Sequence, residues 1–195
     1  SLKRFLIEEC YEAIEALDEG DSQKLCEELG DILLQILLHA QIAAEAGEFS
    51  IADVIRSIAS KIIHRHPHVF GDVKVADASQ VVDNWEVLKR EEQEESASLL
   101  SSIPKAMPAL SYSQAIQRRA AQVGFDWKDF QGVLEKVCEE IRELKEAANE
   151  TQRLHEFGDL LFTIANAARW ANVDLEEALR LSNARFCRRF RHMEE

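Results

Sequence analysis

An acidic pattern that occurs twice constrains this chain more than any other feature. The first copy reads Glu8-Glu9-Cys10-Tyr11-Glu12 and, after a gap, Glu28-Leu29-Gly30-Asp31-Ile32-Leu33-Leu34. The second reads Glu139-Glu140-Ile141-Arg142-Glu143, then Glu156-Phe157-Gly158-Asp159-Leu160-Leu161-Phe162. Both are EExxE, a gap, then ExGD and an apolar run. A duplicated helical unit is the simplest account.

The residues between these acids carry the helical period. Leu6, Cys10, Ala13, Ile14 and Leu17 recur at three- and four-residue steps, as do Leu25, Leu29, Ile32, Leu33, Ile36, Leu37 and Ala40. Gly20-Asp21 between the runs reads as a helix–turn–helix corner. Ser50 with Asp53 reads as an N-cap and its N3 acid, opening a third helix to about Ile63, which Pro67 and Gly71 close. Further helices are expected from near Tyr112, over Phe130–Ala148 and Leu154–Ala171, and from the Asp174/Glu177 cap to about Met193. With 7 glycines and 3 prolines in 195 residues, the chain lacks the turns of an all-β fold. The expectation is an all-α fold with an N-terminal domain over 1–72 and a C-terminal domain over 109–195. Residues 73–108 read as a linker with a short helix around Val82–Glu95.

Glu9 and Glu12, three residues apart, stand about 60° apart on one helix face. Glu28 and Asp31 share a face in the same way, as do the pairs Glu140/Glu143 and Glu156/Asp159. If the helices of each copy run antiparallel, four carboxylates converge and repel one another unless a cation sits among them. Oxygen-only ligands favour Mg²⁺, or Mn²⁺, over zinc. A glycine before each aspartate lowers helix stability by ~1 kcal/mol and so suggests close backbone approach. A di-iron carboxylate bundle is disfavoured, because it uses Glu-x-x-His and no glutamate here has a histidine three residues on. His64, His66 and His68 around Pro67 read as a structural turn, and Trp85, Trp127 and Trp170 as core or interface anchors.

The net charge of −13 disfavours stable nucleic-acid binding and anionic lipid surfaces. No apolar run approaches a membrane span, no leader stands out, and Ser1-Leu2-Lys3-Arg4-Phe5 opens mid-pattern. Cys10, Cys26, Cys138 and Cys187 lie in apolar helical patterns without a CxxC pair, so reduced, buried thiols in a cytoplasmic protein are expected.

Several ordered stretches accompany the acids: Arg65-His66-Pro67-His68-Val69-Phe70-Gly71, Asn84-Trp85-Glu86, Ile103-Pro104 to Pro108-Ala109-Leu110, Val123-Gly124-Phe125-Asp126-Trp127, and Arg185-Phe186 to Arg188-Arg189-Phe190. With them the chain resembles the MazG family of nucleoside triphosphate pyrophosphohydrolases, in the form with two MazG-like domains in tandem. The resemblance implies a helical homodimer that uses Mg²⁺ and hydrolyses NTPs and dNTPs to monophosphate and pyrophosphate with broad base tolerance. It implies that Glu140, Glu143, Glu156 and Asp159 hold the metal in a catalytic second domain. Lys136, Arg185 and Arg189 would face the triphosphate. Of the three tryptophans, Trp170 has the best claim to lie near a nucleobase, because it follows the helix of Glu156 and Asp159. The first domain keeps all four acids, Glu9, Glu12, Glu28 and Asp31, which makes a second site conceivable. Gln152 stands where the family usually has a basic residue, and the family continues past Glu195 with an aromatic and a basic residue that help hold nucleotide.

Two plainer readings compete. The run Arg180, Arg185, Arg188, Arg189 and Arg191 can simply complement a helix macrodipole. The whole repeat can be a regulatory helical scaffold whose acids only solvate its surface.

Overall fold

The computed structural model of the chain describes residues 2–71, 73 and 98–194, and contains eight helices and no strand among them. The all-α expectation holds. The chain forms two compact units, Ser1–Glu94 and Glu95–Glu195. The helix expected around Val82–Glu95, the Asn84-Trp85-Glu86 stretch and Trp85 lie outside the described residues.

The first unit is built on a hairpin of α1 (Lys3–Glu19) and α2 (Ser22–Glu45). Gly20 ends α1 at φ 69°, a left-handed conformation that favours glycine. The Asp21 carboxylate then accepts from the Gln23 and Lys24 amides, both at 3.0 Å, and starts α2. Stop and start signals therefore fall on adjacent residues, and the helices must fold back antiparallel. The Lys24 ammonium closes the corner by donating to Glu15 at 3.0 Å and Glu19 at 3.3 Å. α3 (Ile51–Arg65) opens on the expected capping box of Ser50 and Asp53. A short α4 (Pro67–Phe70) follows where the sequence pattern indicates only a stop. His66 joins α3 to α4, with Nδ1 2.8 Å from the Ile62 carbonyl oxygen, as a structural turn requires.

The second unit has α5 (Ala109–Ala121), α6 (Phe130–Glu146), α7 (Glu150–Trp170) and α8 (Leu175–Glu194). α6 and α7 form the counterpart hairpin. Asn149 caps α7 by accepting from the Gln152 amide at 2.9 Å, while the Gln152 side chain accepts from the Ala148 amide at 3.0 Å. This cap starts α7 at Glu150, four residues before the apolar pattern becomes legible. It also gives the Gln152 side chain a structural task.

α5 is latched to α7 by buried glutamines rather than by large apolar side chains. Gln114 donates to the Val173 carbonyl at 2.9 Å and accepts from the Leu175 amide at 3.1 Å. Gln117 donates to the Phe162 carbonyl at 2.8 Å. The loop before α6 is held by Asp126, which accepts from Arg169 Nη1 at 3.0 Å and from Trp170 Nε1 at 3.2 Å. Asp174 caps α8 by accepting from the Glu177 amide at 3.0 Å, as its spacing predicts.

Two expectations fail. The four cysteines are free but exposed, not buried. Each hairpin covers only one stripe of its helices, and the apolar side chains buried there are mainly alanines such as Ala13, Ala16, Ala40, Ala43 and Ala165. Larger ones, including Leu33, Leu37, Phe157 and Leu161, stay about half exposed. Gly30 and Gly158 do not mark a close approach within their units, since a Cβ on either would meet nothing within 4 Å.

Candidate metal and polyphosphate site

In the second unit the antiparallel α6 and α7 bring Glu140, Glu143 and Glu156 together, one oxygen of each lying within 4.8 Å of the others. Glu140 is only 4% exposed. Its Oε1 lies 2.8 Å from the Lys136 ammonium, while its Oε2 is buried without a hydrogen-bond partner. A buried carboxylate oxygen without a partner is costly, so this atom calls for a cation or a donor. Oxygen-only donors, two partly solvated and one buried, suit a hard divalent ion such as Mg²⁺ or Mn²⁺ that keeps some positions for water and phosphate.

Lys136 stands one turn before Glu140 and contacts the acids rather than open solvent. Its Nζ is 2.6 Å from Glu139 Oε1 and 4.0 Å from Glu143 Oε2. Glu139 and Glu140 hold its ammonium well above the usual lysine range, with the Glu139 hydrogen bond the largest cause. Glu139 is in turn held below the usual glutamate range, chiefly by its bond to Lys136. The Glu143 carboxyl moves upward: partial desolvation leads, Lys136 opposes it, and Glu140, Glu139 and Glu156 add like charge.

The first unit repeats the arrangement with Glu9, Glu28 and Asp31, again within 4.8 Å of one another. Glu12 stands beside them and its charge acts on both Glu9 and Glu28. Both carboxyls are raised, by desolvation first and by neighbouring acids next.

Not every expected residue joins. Asp159 is exposed and outside the three-carboxylate group, although it follows Glu156 by three residues on the same helix. Asp31, its counterpart, does join the first cluster. Trp170 is about 16 Å along α7 from Asp159 at helical rise, and its indole is engaged with Asp126. Arg185 and Arg189 lie in the half of α8 beyond Arg180, where every described side chain is exposed, and no described ion pair links them to the acids. Sequence reasoning overlooked the contacts of Lys136 with Glu139 and Glu140, although their i,i+3 and i,i+4 spacings were a usable signal.

The fold and the clusters define a class: an all-α protein whose helical hairpins gather carboxylates from two helices into groups with metal-ligand geometry. Comparison with known proteins narrows it. A model of the MazG nucleotide pyrophosphohydrolase domain matches residues 1–70. The nucleoside triphosphate pyrophosphohydrolase/pyrophosphatase MazG of Thermotoga maritima is 52% identical over 196 residues, covering 100% of this chain and 75% of that protein. The Escherichia coli K12 nucleoside triphosphate pyrophosphohydrolase is 42% identical over 197 residues, covering 97% of this chain and 75% of its own length. The Bacillus subtilis protein YabN is 50% identical over 200 residues, and the chain spans 41% of it. The chain belongs to the MazG nucleotide pyrophosphohydrolase family.

Proposed function

We propose that this chain hydrolyses nucleoside 5′-triphosphates, ribo and deoxy and with broad base tolerance, to the monophosphate and pyrophosphate, using Mg²⁺ or Mn²⁺. The observation that carries the reading is the meeting of Glu140, Glu143 and Glu156 around a buried, unpartnered carboxylate oxygen. The relatives' printed names support the substrate class and the bond cleaved. Glu140, Glu143 and Glu156, joined by Asp159 through a rotamer change, are the residues that would hold the ion. When bound, it supplies charge neutralisation and alignment of the polyphosphate.

The chain's own groups do the rest. A water oxygen attacks the α-phosphorus, the bond from that phosphorus to the bridging oxygen breaks, and pyrophosphate leaves. Glu139 lies beside the cluster without belonging to it, and we assign it to accept the water's proton. Lys136, with Arg185 and Arg189 from α8, stabilises negative charge on the phosphates. The first-unit cluster of Glu9, Glu28 and Asp31, with Glu12 beside it, is a second candidate site, supported by the family match over residues 1–70. Half-exposed apolar faces on both hairpins, and open space beside Gly30 and Gly158, support a homodimer formed through helices.

Incubation of the protein with each NTP and dNTP plus Mg²⁺, followed by product analysis, tests the reading. Monophosphate plus pyrophosphate is expected. Diphosphate plus orthophosphate would indicate a different phosphohydrolase, and no turnover would favour the scaffold.

A further inference from the structure

The duplicated pattern provides a comparison within one chain. One turn before Glu140 stands Lys136; one turn before Glu9, the matching position holds Phe5. The Lys136 ammonium lies 2.8 Å from Glu140 and 4.0 Å from Glu143, two of the three acids grouped in the second unit. In the first unit the described ion pairs lie elsewhere, between Arg4 and Glu8, between Lys24 and Glu15 or Glu19, and between Arg56 and Asp53. One cluster thus carries a lysine of its own, and the other shows only mutual acidic contacts among the described residues.

An ammonium held by the same carboxylates that a divalent ion needs opposes that ion twice. It occupies an oxygen of Glu140, and it repels a second cation at short range. Lysine is also well suited to move, since its charge is compact and its four-carbon stem is flexible. Glu140 Oε1 is held by the lysine while its Oε2 stays buried and unpartnered, so the carboxylate is only half neutralised in this arrangement.

We propose that Lys136 is a resident counter-cation of the second-unit cluster. It keeps the affinity for free divalent metal low and releases the acids when a polyphosphate draws its ammonium away. Metal and nucleotide then bind there as a coupled pair, each raising the affinity of the other by the same factor. The first-unit cluster, with Phe5 in the matching place, takes metal without that coupling. The proposal rests on the reading of Glu140, Glu143 and Glu156 as metal ligands.

The test follows Mn²⁺ binding by electron paramagnetic resonance in the full chain. Glu28→Gln removes a ligand from the first cluster and serves as the background. Lys136→Met and Lys136→Gln are compared with that parent. Each is measured with and without α,β-methylene ATP, whose carbon bridge replaces the bond to be cut, and Mn²⁺ bound by the analogue itself is subtracted. Without the analogue, both variants should bind Mn²⁺ at least ~10-fold more tightly than the parent. The analogue should tighten Mn²⁺ in the parent by ~10-fold or more and in the variants by under ~3-fold, a range ordinary for coupled sites. Two neutral substitutions guard against misfolding in one of them, because glutamine keeps hydrogen-bonding capacity that methionine lacks. Equal or weaker Mn²⁺ binding in the variants, or unchanged coupling, overturns the proposal and leaves Lys136 as a support for Glu140. Adding Glu143→Gln separates the deeper failure: if it leaves Mn²⁺ binding unchanged in parent and variants alike, the metal assignment itself falls.

Discussion

Gln114→Leu should strongly destabilise the second unit, although it keeps side-chain volume and lies outside the carboxylate cluster. Gln114 is 1% exposed. Its amide holds the Val173 carbonyl at 2.9 Å and the Leu175 amide at 3.1 Å, and lies 3.4 Å from the Ala165 carbonyl. The longest of these contributes little, because the Ala165 carbonyl lies in the interior of α7. The other two groups sit where α7 gives way to α8, and the Leu175 amide is one of the first-turn N–H groups that a helix cannot pair internally. Stranding two buried backbone groups costs about 1–3 kcal/mol each, and leucine's greater apolar burial returns part of that. A net loss of about 2–3 kcal/mol lowers the melting temperature of a unit of this size by roughly 10–20 °C. Differential scanning calorimetry of the full chain reads this directly. Gln117→Leu, which loses the one bond to Phe162, should shift the transition by less than half as much. α8 carries Arg185 and Arg189, so at temperatures where Gln114→Leu is still folded, its KM for NTP should rise more than its kcat falls. A shift below about 4 °C for Gln114→Leu, corresponding to less than about 1 kcal/mol, would refute the latch.

Two further predictions concern the clusters. Glu143→Gln or Asp159→Asn should lower NTP turnover at least ~100-fold by disturbing the metal; near-normal steady-state turnover in both would eliminate the second-unit site. In the first unit, Glu28 is more readily protonated folded than unfolded, because desolvation and then the charges of Glu12, Asp31 and Glu9 raise its carboxyl. Its contribution to stability is therefore fullest below the ordinary glutamate value and is lost as pH rises through the raised one. In EDTA, Glu28→Gln should melt above the parent at pH 7, with the advantage gone by about pH 4; Mg²⁺ at pH 7 should stabilise the parent more than the variant. A difference in melting temperature that stays constant across this range, with or without Mg²⁺, would sink the reading.

Helix existence and several boundaries were legible because their causes are local. The apolar period, the Gly20-Asp21 corner, the Ser50/Asp53 capping box and the Asp174 cap are written in residues within four positions of one another. The candidate ligands were legible for the same reason: EExxE and ExGD put acids on single helix faces whatever the helices pack against.

What tertiary structure alone decided depends on distances between elements. The packing of α6 against α7 brings Glu140, Glu143 and Glu156 together and leaves Asp159 exposed and outside the group. The buried glutamines of α5 owe their place to carbonyls about fifty residues away, beyond the reach of any local pattern. The cysteines and the two helix-interior glycines were misread because a period shows that a face is apolar, not which neighbour covers it. From its sequence alone the chain is bound to form acidic, amphipathic helices in two copies. Lys136 among the acids of its own helix is likewise local, set by i,i+3 and i,i+4 spacing. Only the packed fold adds Glu156 from the neighbouring helix and leaves one oxygen of Glu140 buried without a partner, because burial is a property of several helices at once.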